Sequence, residues 1–255
     1  MVTLLAVGFT AGFYASTRGD GAGPAAPAQP APVAEAPADA TVPSAPPPAA
    51  PAAQPPPRPT FAVAPLSGAA RARLREGGFW RRGCPVPLSG LRMLTVTYRG
   101  FDGRTHSGAL VVNAEAAHAL KRVFRKLYRD RFPIRHIGFD QFYGPPSARP
   151  PDGDVTGSFE CRQSVPSPCS GGLKSGNWSN HAYGLAVDLN PTENPYIGCG
   201  MSRDPATKPF RDRSRHTRGM VDARVVAAFE SIGWGWGGAW TGDTKDYMHF
   251  SPTGH

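Results

Sequence analysis

The sequence predicts an α+β domain with an antiparallel sheet over residues 61–255, preceded by a disordered linker. First, the predicted strands and helices do not alternate strictly along the chain, which disfavours a doubly wound parallel sheet. Second, an Asp-Gly turn signal lies between two apolar, strand-like runs, which is typical of an antiparallel hairpin. Third, all five tryptophans lie in this part of the chain, and about 195 residues suffice for one domain with a buried core.

A proline- and alanine-rich stretch separates this domain from the N-terminus. Residues 21–60 contain fourteen of the 29 prolines and fourteen alanines. They carry too little apolar surface to offset the entropy lost on ordering, so we expect them not to fold. Such a composition favours an extended polyproline-II spacer. We therefore predict a disordered linker over 18–60 and the folded domain over 61–255.

The first 17 residues form an apolar segment. It is shorter than the ~20 residues that span a membrane, and it lacks the basic start of a secretory signal. Three interpretations stand. We favour a signal peptide or membrane anchor whose true start lies upstream. The alternatives are a complete but unusual signal and an apolar tail without such a role. An apolar segment followed by a spacer favours a domain held out from a membrane surface.

The first elements of the domain are predicted to be a helix and a hairpin. Apolar residues at helical spacing predict a helix over 66–76 with Ser67 as its N-cap. Residues 91–99 and 106–112 have the composition of strands, and the Asp-Gly signal lies between them at 101–104. These two strands are therefore expected to pair.

The rest of the domain is predicted to contain two more helices and several short strands. A second helix is predicted to begin at Asn113 and to end near Arg131, because Pro133 disfavours continuation. A third helix is predicted after Asp222 and is stopped by Gly233. Short strands are predicted at 134–139, 185–189 and 247–251.

Two short motifs, about sixty residues apart, carry the chemistry. The first runs from Ser179 to Asp188 and contains His181, and the second runs from Asp246 to His249. Either motif alone is a weak signal. Two imidazoles and one carboxylate can hold a zinc ion and leave a fourth position for water, as in catalytic zinc sites. The remaining carboxylate, three residues before the second histidine, would serve as a general base.

Together the motifs read S-x-H-x-x-G-x-A-x-D, W-G-G-x-W and D-x-x-H-F, which is a specific combination. The domain resembles the zinc D-Ala-D-Ala carboxypeptidases and L-alanyl-D-glutamate endopeptidases that cut peptidoglycan stem peptides (the M15, or VanY-like, peptidases). It is most similar to the branch with Asp before the last histidine. The likeness covers most of residues 79–251. The segments that carry it are Gly83-Cys84-Pro85-Val86, Phe101-Asp102-Gly103, Phe159-Glu160-Cys161-Arg162, Ser179–Asp188 with Asn190-Pro191 and Asn194-Pro195-Tyr196, and Gly233–Trp240.

The resemblance implies a central antiparallel sheet flanked by helices. It also implies that zinc is held by His181, Asp188 and His249, with Asp246 as the general base. Two further residues receive roles from it.

Arg162 matches the family's arginine that faces the scissile carbonyl, where it would stabilise the oxyanion. It would otherwise bind the substrate's terminal carboxylate, and a surface arginine is the plain alternative. Ser179 matches a serine beside the site and the substrate. Three tryptophans before the second motif either line a groove or fill the core: Trp234, Trp236 and Trp240. Of these we assign Trp236 to substrate binding.

Other enzyme classes lack their motifs in this chain. No Ser-x-x-Lys and no Lys-Thr-Gly occurs, which excludes a serine penicillin-binding enzyme. No H-E-x-x-H and no G-x-S-x-G occurs, which excludes zincins and α/β-hydrolases. The expected function is zinc-dependent hydrolysis of an amide bond in peptidoglycan stem peptides, by a carboxypeptidase or an endopeptidase, at the bacterial cell envelope, secreted or membrane-anchored. The alternative is a non-catalytic wall-binding module on the same fold.

Charge and cysteine content add context. Lys and Arg exceed Asp and Glu by nine, which favours polyanionic surroundings. No nucleic-acid motif accompanies this charge, so we expect no nucleic acid, and an anionic cell-wall polymer or ordinary solvated surface explains it. The four cysteines allow three pairings, and the absence of C-x-x-C argues against a cysteine zinc site. Cys169 departs from the family pattern. We predict disulfides Cys84–Cys161 and Cys169–Cys199, the second of which would clamp the loop around the site, and free thiols near the zinc are the alternative.

Overall fold

The part of the chain that the structure describes is built from short, mostly antiparallel β-ladders and three α-helices. A computed structural model describes residues 58–140, 149–165, 176–202 and 204–255, all within one unit, Pro55–His255. The predicted N-terminal segment, 1–17, and most of the predicted linker lie outside these residues. Among the described residues no helix combines the length and the apolar composition needed to span a bilayer.

The α+β class is confirmed. Within the described ranges the helices are α1 (Gly68–Glu76), α2 (Ala117–Arg129) and α3 (Ala223–Glu230). The strands are β1 (Phe61–Pro65), β2 (Leu91–Arg99), β3 (Thr105–Asn113), β4 (His136–Ile137), β5 (Val155–Thr156), β6 (Val187–Asp188), β7 (Tyr196–Ile197), β8 (Gly235–Trp236), β9 (Lys245–Asp246) and β10 (His249–Ser251).

The predicted hairpin forms the longest ladder. β2 and β3 pair antiparallel from Leu91 opposite Asn113 to Arg99 opposite Thr105. The Asp102 carboxylate accepts a hydrogen bond from the Arg104 amide at 2.9 Å, which stabilises the tight connection. β1 pairs antiparallel with the other edge of β2. The sequence did not predict β1, because its alanines and proline carry little strand propensity.

The central antiparallel sheet that the resemblance implied is present in part, because antiparallel strands are divided among several small sheets. β6, β10 and β8 form a second three-stranded sheet, in that order, and β7 pairs with β9. β4 and β5 pair in parallel. Single bridges, Ala109 to Gly138 and Gly157 to Asp188, connect β3 with β4 and β5 with β6. The sheet is therefore mixed and interrupted, since most strands after β3 have only two residues.

The helix caps test the sequence in three places. Ser67 accepts from the Ala70 amide and caps α1, and Asp222 accepts from two amides and caps α3, both as predicted. The predicted start of α2 at Asn113 is wrong. The Asn113 side chain instead accepts from the Glu115 amide in a turn, and α2 begins four residues later without a side-chain cap.

The hairpin separates two apolar cores. Leu110 and Val112 of β3 face the larger one, where α2 and α3 pack and which continues to Phe250. Val111, pointing the other way, faces a smaller core that contains Leu74 of α1 and Phe159. This alternation is that of a strand covered on both faces. The smaller core supports the segment that leads to the candidate site.

The disulfide between Cys84 and Cys161 is confirmed, with a Cα–Cα distance of 5.7 Å. It ties the chain after α1 to the segment around Phe159. Cys199 is also disulfide-bonded. Cys169, its predicted partner, lies outside the described residues.

A buried polar network holds the loop that follows β6. Asp154 and Glu193 are each 1% exposed, and Arg135 contacts both, with Nη2 2.6 Å from a Glu193 oxygen. Asp154 also accepts from the Thr192 amide at 3.0 Å. Burial, together with the neighbouring Glu193, raises the pKa of Asp154 to about 8.

Replacing the cysteine pair is expected to lower stability. The disulfide closes a loop of 77 residues, for which the chain-entropy relation gives about 4.5 kcal/mol. The variant Cys84→Ala/Cys161→Ala should therefore have a lower free energy of unfolding in guanidinium titrations, whereas exposed Ser89→Ala should match the wild type. Equal unfolding free energies for the cysteine variant and the wild type would contradict the expectation.

The pH dependence of stability should report on Asp154. Because its folded-state pKa lies above the usual value, the contribution of this group is complete below about pH 4 and is lost as the pH rises through about 8. In the wild type this group should make the melting temperature fall between pH 5 and 9. We expect a smaller fall in Asp154→Asn. Exposed Asp243→Asn is the control. An unchanged slope in Asp154→Asn would show that Asp154 is ionised throughout.

Candidate metal centre

Strand pairing joins the two motifs. Asp188 of β6 lies directly opposite His249 of β10, so their side chains project from the same face of the sheet. The next residue, Phe250, points the other way and stacks on Phe229 with ring centroids 3.9 Å apart. Packing of Phe250 in the core therefore fixes the face on which His249 lies.

A short 3₁₀ turn, Asn180–Tyr183, carries His181. Ser179 caps this turn, since its Oγ accepts from the His181 amide at 3.3 Å. Gly184 ends it with φ +65°, and a Cβ there would lie 2.7 Å from the Asn113 amide nitrogen. Only glycine combines this left-handed backbone with so close an approach to β3.

Three buried donors converge at this point. The Asp188 carboxylate places Oδ2 3.2 Å from His181 Nε2 and Oδ1 3.1 Å from His249 Nδ1. One donor atom from each of the three residues lies within 4.8 Å of the others, and all three residues are buried. The two Asp188 separations are close to the edge of a tetrahedron, about 3.3 Å, whose corners lie about 2.0–2.1 Å from zinc.

The tautomer of His181 supports a cation at this point. Its Nδ1 donates to the Ser158 carbonyl at 2.5 Å, so neutral His181 carries its lone pair on Nε2. Burial lowers the pKa of His181, which favours that neutral form. The lone pair then faces the Asp188 carboxylate, and a metal ion or a proton between these two acceptors, 3.2 Å apart, would satisfy both.

The charge of Asp188 is maintained. Burial alone would raise the pKa of Asp188, but imidazoles that carry a proton toward it, His181 and then His249, hold that pKa well below its usual range through their charge and hydrogen bonds. Asp188 is therefore ionised at neutral pH. The donor set is one carboxylate and two imidazole nitrogens, which fits a zinc site that keeps a further position open.

Asp246 lies beside this centre on β9. Its strand pairs with β7, where Tyr196 is opposite Asp246. A Cβ on Gly237 would lie 2.5 Å from the Asp246 carbonyl oxygen, so glycine allows the backbones to approach. Oδ1 is buried without a hydrogen-bond partner among the described residues. Burial and the charge of Asp188 raise the pKa of Asp246 to about 7.

Arg162 and Ser179 line the same cavity as the three donors and Asp246. The Arg162 Nε donates to Glu160 at 2.7 Å, and both side chains are largely buried. Arg162 is thus an ion-paired residue of the cavity wall. The side-chain oxygen of Ser179 caps the turn at His181, so this residue serves the metal centre at least through that hydrogen bond.

The cavity encloses about 860 Å³. Besides the residues above, its walls carry Trp178, Tyr196 and Trp240. Trp236 is not among the lining residues in the part of the chain that the structure describes. Its ring lies 6.5 Å from Phe250, and its indole donates to the Tyr247 carbonyl at 2.8 Å. The structure therefore brings Trp178 and Trp240, and not Trp236, to the cavity.

Two residues were given no role by the sequence. Ser158 contributes its backbone carbonyl to His181, and no side-chain pattern signals a main-chain acceptor. Its hydroxyl donates to the Ala186 carbonyl at 2.6 Å, which adds a second link to the motif. Glu160 was visible only as the neighbour, two residues away, of a candidate arginine.

Comparison with known proteins agrees with this centre. A family model described as D-alanyl-D-alanine carboxypeptidase matches residues 173–252, which include all three donors and Asp246, while Arg162 and Glu160 precede the match. Comparisons with curated proteins and with solved structures gave no significant match. Over the matched stretch the chain is thus similar to the M15 peptidases, and the match supports a peptidase that acts on peptides derived from peptidoglycan.

Proposed function

We propose that this protein is a zinc-dependent peptidase that hydrolyses an amide bond in peptidoglycan stem peptides. The observation that carries the proposal is the convergence of His181, Asp188 and His249 on one point beside Asp246. The family match over the same residues supports it. In this proposal His181 Nε2, Asp188 and His249 Nδ1 hold the zinc ion.

The residues around the centre have separate roles in the proposed reaction. A zinc ion held there supplies Lewis acidity and lowers the pKa of water toward about 7. Asp246 accepts the proton of the attacking water and delivers it to the leaving amine, since a base with a pKa near the working pH suits both steps. Arg162 donates to the carbonyl oxygen as negative charge develops on it. Because the centre is buried, the electrostatic interactions of Asp246 and Arg162 with the reacting groups are stronger than they would be in water.

The proposal has two forms, which differ in the position of the cleaved bond. The description of the matched family favours removal of a terminal D-alanine. The cavity volume of about 860 Å³ falls in the upper part of the range for drug-sized ligands, which supports binding of a longer stretch of stem peptide and hence an internal cut. The masses of the products distinguish the two.

We further propose that the domain works outside the cytoplasm, in the bacterial cell envelope. The Cys84–Cys161 disulfide supports an oxidising compartment. The apolar segment at 1–17 would then serve export or tethering to the membrane. The net charge of +9 would favour contact with anionic wall polymer.

Zinc binding tests the centre without any substrate. Metal-free protein should take up one zinc ion per chain, and at a free zinc concentration about a hundred times Kd it should gain about 2.7 kcal/mol of stability. His181→Ala should lose this uptake, whereas exposed His118→Ala should keep it. Metal analysis and calorimetry measure both. Uptake by His181→Ala with wild-type affinity would place the metal elsewhere.

Hydrolysis tests the role of Asp246. Purified muropeptides are incubated with the zinc-loaded protein, with and without chelator, and the products are weighed. We expect cleavage that chelator abolishes. Asp246→Asn should cleave about 10²–10⁴-fold more slowly and retain zinc, since this residue is not a ligand.

Two variants complete the comparison. His249→Ala should lose both zinc and cleavage, whereas exposed Asp243→Asn should behave as the wild type. Products that chelator leaves unchanged would end the metallopeptidase proposal. Absence of any peptide product, with zinc uptake intact, would favour a wall-binding module.

A further inference from the structure

A half-buried carboxylate, Glu160, lies beside the candidate arginine of the site. Glu160 Oε2 accepts from Arg162 Nε at 2.7 Å, with side-chain exposures of 20% and 24%. Both residues line the cavity that contains the metal centre. An ion pair in such a setting is stronger and better ordered than one on the surface, because little water screens it.

The backbone on which this pair stands is fixed on both sides. The Phe159 amide donates to Val111 at 3.1 Å, and the Cys161 amide donates to Phe79 at 2.9 Å. Cys161 is also held by its disulfide to Cys84. The segment therefore has little freedom to shift when a side chain changes.

The same segment is joined to the metal motif. The Glu160 amide donates to the His181 carbonyl at 3.2 Å, and the Ser179 amide donates to the Arg162 carbonyl at 3.1 Å. Arg162 Nη1 reaches the Gln163 carbonyl at 3.3 Å. The guanidinium plane is thus set by contacts at Nε and Nη1, relative to a backbone that also carries a proposed zinc ligand.

We infer that Glu160 is a positioning residue, which holds the Arg162 guanidinium in the orientation needed at the scissile carbonyl. This inference rests on the proposed function. An arginine whose charge is already balanced by Glu160 has little net attraction for a substrate's carboxylate, which Glu160 would repel. It remains a strong, oriented donor for charge that develops only in the transition state. Loss of Glu160 should therefore reduce kcat more than it raises KM.

The kinetic test compares Glu160→Gln with the zinc-loaded wild type on a stem peptide. We expect kcat to fall about 10–100-fold, which is the usual range for residues that orient a group at a metal site. KM should change less than about threefold, and the zinc content should not change. In an Arg162→Lys background, Glu160→Gln should have almost no further effect. Exposed Glu230→Gln should match the wild type. Equal, independent losses in both backgrounds would overturn the inference.

A second measurement needs no substrate. The Nε–H of Arg162, assigned by its loss in Arg162→Lys, should give a slowly exchanging NMR signal that Glu160→Gln shifts and broadens. Glu193→Gln, which disturbs the buried pair with Arg135, should leave that signal in place. An Arg162 signal unaffected by Glu160→Gln would overturn the inference. Should the wild type cleave no stem peptide while the signal responds as expected, the proposed function fails and the pairing itself stands.

Discussion

The pairing of β6 with β10 is the constraint on which the site depends. It places Asp188 opposite His249, so two residues 61 positions apart in the chain share one side of a sheet. A slip of one residue would turn His249 into the core and Phe250 toward the cavity. Stacking of Phe250 on Phe229 opposes that slip. The larger core thereby determines the geometry of the candidate metal centre.

The smaller core supports the wall of the cavity that Glu160 and Arg162 line. Phe159 is buried there together with Cys161, and the residues on either side of them face the site. Ser158 fixes the tautomer of His181, and Glu160 fixes the guanidinium of Arg162. One short segment, tied to the rest of the domain by a disulfide, therefore orients both a proposed ligand and a proposed oxyanion donor.

Local chemistry explains what the sequence could predict. The caps at Ser67 and Asp222 and the hairpin turn depend on neighbours within a few residues, and the structure confirms them. The α2 start failed because Asn113 satisfies a nearby amide in a turn, a competing use of the same side chain. Trp236 shows a different limit, because by composition a tryptophan fits a core or a groove equally well; in the structure its ring lies near Phe250 and outside the described lining of the cavity.

Two carboxylates that line the same cavity as His181 and His249 have opposite shifts in pKa, and their surroundings explain why. Asp188 contacts both imidazoles, so its pKa stays low and its charge is available to a cation. Burial and that charge raise the pKa of Asp246 to about 7, and its Oδ1 has no hydrogen-bond partner among the described residues. A ligand needs the first behaviour and a general base needs the second. The division of roles between these two acids thus follows from which of them faces the imidazoles.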